Sequence, residues 1–477
     1  MTALLIGLAV LVGGYFAYGL VVEKIFGTDP SRPTPAKTHA DGIDFIEMPA
    51  WRVFLIQFLN IAGLGPIFGA IMGTMFGPAA FLWIALGTIF AGAVHDFISG
   101  IISLRSGGMS LPEIVGRQLG TPVKMLMRGV SILLLVLVGA VFVLTPAGLL
   151  AAMTPSWATA TVWMLVIFAY YLMATLLPID KLIGRIYPIF GVALLFMAVA
   201  LLTVLLTGQY PIHAGFAEGL YNRHADADAN PLFPMLFVTI ACGAISGFHA
   251  TQSPMMARCL SSERLARPIF YGAMVAEGVV ALIWAAAAIA FTGGYEQLNE
   301  YMGAGHTAGD LVHDISVGWL GVFGGALAIL GVVAAPITTG DTALRSARLI
   351  VADMLGVGQR KLWQRLAVSL PIFAVTFGFM MIDFKVLWQY FGWTNQLLAT
   401  ITLWACAVYL ARHGKVYAIC LIPAMFMTVV VASYICVAPE GLSLPVQTGV
   451  WVGLAAMTVL TALFACYRLK RREIEPV

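Results

Sequence analysis

Titratable side chains interrupt long apolar runs at a few places, and those residue types could move protons or bind cations. His95 and Asp96 adjoin in Ala91-Gly-Ala-Val-His95-Asp96-Phe, and His249 lies in Ser246-Gly247-Phe-His249-Ala-Thr-Gln252. Glu277 sits in Gly272-Ala-Met-Val-Ala-Glu277-Gly-Val, and Asp341 closes Ala335-Pro-Ile-Thr338-Thr339-Gly-Asp341. Ionisable groups are costly to place in lipid, so each is a functional candidate by default. Asp96, His95 and Glu277 suit a coupling proton, whereas the hydroxyls of Thr338 and Thr339 suit an alkali cation such as Na+. His95 and His249 are also candidate ligands for a bound metal or haem, although two imidazoles alone are not a full ligand set. Competing explanations are structural. Each imidazole could bond a neighbouring carbonyl, Glu277 could be a hydrogen-bond donor, and Asp341 with Arg345 has the i, i+4 spacing of a helical salt bridge.

The elements that must position these groups are transmembrane helices. Of 477 residues, 60% are hydrophobic and 10% charged, whereas a soluble domain carries about 25% charged residues to solvate its surface. Apolar runs of roughly 20 residues match a hydrocarbon core about 30 Å thick. They fall near residues 3–22, 53–75, 79–104, 125–150, 159–178, 186–207, 232–252, 269–292, 316–337, 364–382, 387–411, 416–437 and 447–467, which makes about thirteen spans of bilayer length.

If these spans alternate across a membrane, all of the 26 Lys and Arg residues except Arg223 and Lys385 fall in loops on one side. That bias places the C terminus in the cytoplasm and the N terminus outside. The first run lacks an early basic residue and a small-residue cleavage site, so it reads as a retained helix rather than a signal peptide. The net charge of +3 is accounted for by cytoplasmic loops, so no nucleic-acid partner is expected. The scattered cysteines read as small buried hydrophobes. Residues 28–50 read as a linker, and the stretch from Ser110 as a short amphipathic helix along the inner surface. The segments 208–231 and 293–315, with His213, His224, His306 and His313, read as polar outer loops.

Two spans carry helix breakers. The second reads Asn60-Ile-Ala-Gly63-Leu-Gly65-Pro66, and the seventh Ala241-Cys-Gly243-Ala-Ile-Ser246-Gly247. Unwound backbone is tolerated at membrane depth only where it lines a cavity or is buried in protein. The two breaks lie five spans apart in helices of opposite direction, the arrangement of an inverted repeat around a transporter's binding site. Gly65, Gly69 and Gly73 would equally serve as a small-residue ridge for close helix packing. The eleventh span opens with Tyr390-Phe-Gly-Trp393-Thr394-Asn395-Gln396, where a membrane-interface belt explains Trp393 but not the amides.

The runs IAGLGPIFGA, AGAVHDF, TIACGAISGFHATQSP, PITTGDTALRSARLIVAD and YFGWTNQLLA resemble the carbon starvation protein A (CstA) family. The likeness runs from about residue 50 to 400. It implies an all-α integral membrane protein of the amino acid–polyamine–organocation superfamily, with a five-plus-five inverted-repeat core, one helix before it and two after. The implied units are 1–50 (extra helix and linker), 51–210 (first repeat), 211–411 (second repeat) and 412–477 (two C-terminal helices and a basic tail). It also implies uptake of peptides or a small carboxylate such as pyruvate across the inner membrane, coupled to H+ or Na+, with no catalytic residues and no required cofactor. Asn60, Gly63, Gly65, Pro66, Gly243, Ser246, Gly247, His249, Gln252 and Asn395 are the expected substrate contacts, and His95, Asp96, Glu277, Thr338, Thr339 and Asp341 the expected ion-coupling groups. In related transporters a cation joins the first core helix to hydroxyls on the eighth, here Thr338 and Thr339. His95 stands where the family resemblance leads one to expect a glutamine. The rival expectations are a metal- or haem-binding redox protein and a nutrient sensor on the same fold.

Overall fold

The computed structural model describes residues 1–42, 44–176, 179–212, 219–359 and 361–474, and no strand occurs among them. His213 and Arg360 lie outside the described residues, as do the side chains of Lys181, Arg185, Lys385 and every residue after Arg468. Among the described residues ten helices are long and apolar enough to cross a membrane: Thr2–Phe26, Ala79–Arg105, Thr121–Met153, Ile189–Leu206, Glu263–Thr292, Ala308–Leu355, Leu362–Phe379, Val386–Arg412, Ala418–Val437 and Val446–Arg468. The pair Ala50–Ile61 and Gly65–Thr74, bent by 55°, makes an eleventh when counted as one span. The remaining expected spans correspond to the shorter helix Ala160–Leu176 and to the divided segment of Leu232–Thr239 and Gly247–Ala257.

The protein is therefore a multi-pass helical membrane protein, and its burial pattern follows from its solvent. Ala79–Arg105, Thr121–Met153 and Glu263–Thr292 are mostly buried, whereas Thr2–Phe26, Leu362–Phe379 and Val446–Arg468 are mostly outward-facing. Val199, Phe323, Trp451 and Leu463 are exposed. Such a surface is unfavourable in water but costs nothing against lipid tails, which are as apolar as leucine.

Ala308–Leu355 begins inside the stretch expected to be an outer loop, and the helix Tyr295–Gly303 precedes it. At 1.5 Å per residue a continuous helix of this length would exceed any bilayer. Its geometry breaks at Gly321, whose φ of 68° only glycine adopts at no cost.

The helix Leu111–Leu119 forms as expected, burying Leu111, Pro112, Ile114 and Val115 while Glu113 pairs with Lys124 and Arg128. The linker before the second span is pinned at the same end. Arg105 grips Glu263 through Nε at 2.6 Å and Nη2 at 2.8 Å and donates to the carbonyl of Gly27, and Glu263 accepts from the N–H of Asp29. Arg267 reaches Glu23 at 2.6 Å.

Candidate functional site: two broken helices over a buried ionic chain

The second span stops at Ile61, unwinds over residues 62–64, and resumes through a wide π-helical turn at Gly65–Gly69. Pro66 supplies no N–H, which removes one donor from a stretch that cannot complete its ladder. The seventh span stops at Thr239 and resumes at Gly247, with Gly243 at φ 91°, a conformation open to glycine.

These breaks meet. A Cβ placed on Gly65 would stand 2.0 Å from Cβ of Cys242, one on Gly69 would be 2.9 Å from the carbonyl of Thr239, and one on Gly73 would be 2.2 Å from Ile240. A Cβ on Gly243 would lie 3.5 Å from Cα of Pro66. The expected glycine ridge thus exists, and what packs on it is the other break, so the packing and interruption readings are both satisfied at one place.

Orphaned backbone groups of the second break are taken up by side chains from other spans. Trp83 Nε1 donates to the carbonyl of Ile240, and Thr88 Oγ1 to that of Gly243. Glu277 Oε1 accepts from the N–H of Gly243 at 3.1 Å, and Asn395 Oδ1 from the N–H of Phe248 at 2.7 Å. Asn395 Nδ2 also donates to Ser246 Oγ at 3.0 Å. Buried amide groups without partners cost roughly 1–3 kcal/mol each, so four side chains committed to one break mark it as a maintained feature.

Below the break runs a chain of four ionisable groups, each fully buried. His95 Nδ1 lies 2.8 Å from Asp96 Oδ1, and His249 Nδ1 lies 2.8 Å from Asp96 Oδ2. His249 Nε2 lies 3.3 Å from Glu277 Oε2. The third, seventh and eighth spans are thereby joined. The third span reaches this point through a π-helical stretch, Trp83–Gly92, an irregularity that frequently accompanies functional sites. The two histidines expected to face one cavity do converge, with Asp96 between them.

A second cluster joins the first break to the ninth span. Thr339 Oγ1 donates to the carbonyl of Leu59 at 3.1 Å, and Thr342 Oγ1 lies 3.4 Å from Asn60 Oδ1. A Cβ on Gly63 would lie 3.3 Å from Thr339 Oγ1. Thr338 bonds the carbonyls of Ala334 and Ala335 in its own helix, and Asp341 is buried a turn further on. Arg345 donates to the carbonyl of Ala174 at 2.6 Å. Gln252 directs Nε2 to Thr251 and leaves its buried Oε1 without a hydrogen-bond partner. Gly247 packs backbone to backbone on the eleventh span, where a Cβ would stand 2.4 Å from the carbonyl of Asn395.

Four contributors were not visible in the sequence. Trp83, Thr88 and Cys242 stand at the second break, and Tyr171 hydrogen-bonds the carbonyls of Phe142 and Pro336. Cys242 lies next to the glycine that unwinds the chain, and that adjacency was the available signal.

Two discontinuous helices in contact over a buried ionic chain are thus the distinguishing feature of this multi-pass membrane protein. The family model described as carbon starvation protein CstA matches residues 1–214, 158–318 and 306–433, and the chain belongs to that family. An uncharacterized membrane protein of Haemophilus influenzae is 44% identical, over 62% of this chain and 92% of its own length. The peptide transporter CstA of Escherichia coli is 26% identical, over 84% of this chain and 75% of its own. The pyruvate/proton symporter BtsT of Escherichia coli is 29% identical, over 61% of this chain and 49% of its own.

Proposed function

We propose that this protein is a secondary active transporter that imports peptides or a small carboxylate such as pyruvate across the cytoplasmic membrane by alternating access, coupled to H+ or Na+. The observation that carries this reading is the contact between the two breaks, with Gly65 against Cys242 and Gly243 against Pro66. Interrupted helices in matching positions of two inverted halves are how secondary transporters build a site at the membrane midplane. On this reading spans two to eleven are a five-plus-five core. The activities named for the relatives, peptide transport and pyruvate/proton symport, support the substrate class.

In this proposal a substrate carboxylate lies against backbone N–H groups at the two broken helices, where positive helix-dipole ends converge. Asn60, Ser246, Gln252 and Asn395 supply polar contacts around it. The coupling cation sits between the carbonyl of Leu59 and the hydroxyls of Thr338 and Thr339, with Asp341 as the nearby charge. The bond from Thr339 to Leu59 supports this, because it brings two oxygens from different spans together beside a break. The chain from His95 to Glu277 joins three spans and holds the groups suited to a coupling proton, Asp96, His95 and Glu277, should H+ rather than Na+ drive uptake.

The test is uptake of labelled dipeptides and pyruvate into proteoliposomes with Na+ and pH gradients imposed separately. Accumulation under one gradient is the expected result. Equal uptake by Gly65→Leu protein, or none under any gradient, would overturn the reading.

A further inference from the structure

We propose that Cys242, His249 and Glu277 form a resident site for a borderline transition-metal ion of the Zn2+ type, stapling the broken seventh span to the eighth. A sulfur, a ring nitrogen and a carboxylate oxygen from these three buried residues lie within 4.8 Å of one another. Metal–ligand bonds of roughly 2.0–2.3 Å at tetrahedral angles need ligand atoms about 3.3–3.8 Å apart, so small side-chain adjustments close the set. His249 Nε2 and Glu277 Oε2 already stand at 3.3 Å.

Hydrogen bonding selects the same atoms. Asp96 Oδ2 faces His249 Nδ1, an arrangement that favours the proton on Nδ1 and leaves Nε2, on the side of Cys242 and Glu277, as the atom available to a metal. A carboxylate holding the far nitrogen of an imidazole is the usual outer support of a histidine ligand. His249 Nε2 and Glu277 Oε2 are both buried and neither has a hydrogen-bond partner. A metal ion held between them would give both atoms a partner. Thiolate and imidazole in one set disfavour Na+, Mg2+ and Ca2+ and favour Zn2+ or its neighbours.

The fold gives the set its placement. Cys242 lies in the unwound stretch and His249 just after the helix resumes, so one ion would bridge both sides of the break and reach Glu277 beyond it. This revises the ligand pair expected from sequence. His249 belongs to the set and His95 does not, because the ligand atoms that lie close together are those of Cys242, His249 and Glu277.

The inference stands apart from the transport reading, because a chain that transports nothing could still hold the ion, and uptake could persist without it. The test uses full-length protein purified in detergent without chelators. Elemental analysis should find about one equivalent of a transition metal per chain. Exchange for Co2+ should give a thiolate-to-cobalt charge-transfer band that Cys242→Ser abolishes. Glu277→Gln should weaken metal affinity at least about tenfold, as loss of even an outer-shell partner does, and His95→Ala should retain the ion. Monodisperse wild-type protein with neither metal nor a cobalt band would overturn the proposal. So would metal retained undiminished by a triple Cys242→Ser, His249→Ala, Glu277→Gln variant.

Discussion

The side-chain oxygen of Asn395 accepts a hydrogen bond from the backbone N–H of Phe248, 147 residues earlier, at 2.7 Å. The helix that resumes after the second break is therefore capped from the eleventh span rather than by its own preceding residue. Replacing Asn395 with leucine keeps most of the volume and removes the cap. It leaves the Phe248 N–H and the Ser246 hydroxyl short of a partner, and the expected loss is about 1–3 kcal/mol. A thermal melt in detergent reads the loss. Unchanged stability would mean that water replaces the amide.

Gly65→Ala should be far more damaging than most glycine changes in this chain. Its methyl would overlap Cβ of Cys242 at 2.0 Å with the backbone Cα behind it at 3.3 Å, so rotamer adjustment gives no relief. Gly129→Ala is the comparison, because nothing lies within 4 Å of its added Cβ and alanine favours helix by roughly 0.5–1 kcal/mol. The first variant should lower the melting temperature and the second should hold or raise it. Pairing Gly65→Ala with Cys242→Gly should recover part of the loss, which a double-mutant cycle measures.

Thr339→Val preserves shape and deletes the hydroxyl that reaches Leu59. If a cation sits between those oxygens, cation-dependent uptake should need at least about tenfold more cation, corresponding to loss of roughly 1.4 kcal/mol. Substrate binding measured without a gradient should change much less. Equal cation dependence in both proteins would move the ion site elsewhere.

Acid should loosen the amphipathic helix Leu111–Leu119 through one carboxylate. Partial burial pushes the Glu113 carboxyl up, but its hydrogen bonds and ionic attraction to Lys124 and Arg128 outweigh this and hold it below its ordinary 4.5. A depressed carboxylate adds stability above its unfolded value, and that stability is lost as pH falls through the lower folded value. The group keeps access to solvent, so screening keeps the contribution small. The low-pH decline in melting temperature should be shallower in Glu113→Gln, whereas above about pH 6 the wild type should be the more stable.

Features that depend on local composition were legible in the sequence. Run length gave the long spans, Gly63, Gly65, Pro66 and Gly243 marked both interruptions, and the periodicity after Ser110 gave the surface helix. Burial of His95, Asp96, His249 and Glu277 followed from their apolar surroundings. Their joining into one chain did not, because it depends on how three helices rotate about their axes. The same limit hid Trp83, Thr88 and Cys242, each a single residue in an apolar run whose partner lies in another span. Reading Cys242 as an inert small hydrophobe was reasonable by composition, yet its sulfur stands within reach of an imidazole and a carboxylate. The outer segment before residue 316 looked polar and loop-like, but Thr307 and Asp310 form a reciprocal cap that starts a helix there.

The glycine ridge also bears on throughput. Along Gly65, Gly69 and Gly73 the second span contributes no side chain of its own, so its backbone rests directly on Cys242, the carbonyl of Thr239 and Ile240 of the other broken span. A constriction made of side chains clears by rotamer flips in picoseconds to nanoseconds, whereas one made of backbone clears only when whole helices shift, in about microseconds to milliseconds. If solute passes between these spans, each passage requires one such shift. The protein would then work as a carrier with at most on the order of a thousand to a million cycles per second, not as a pore whose flux rises with driving force.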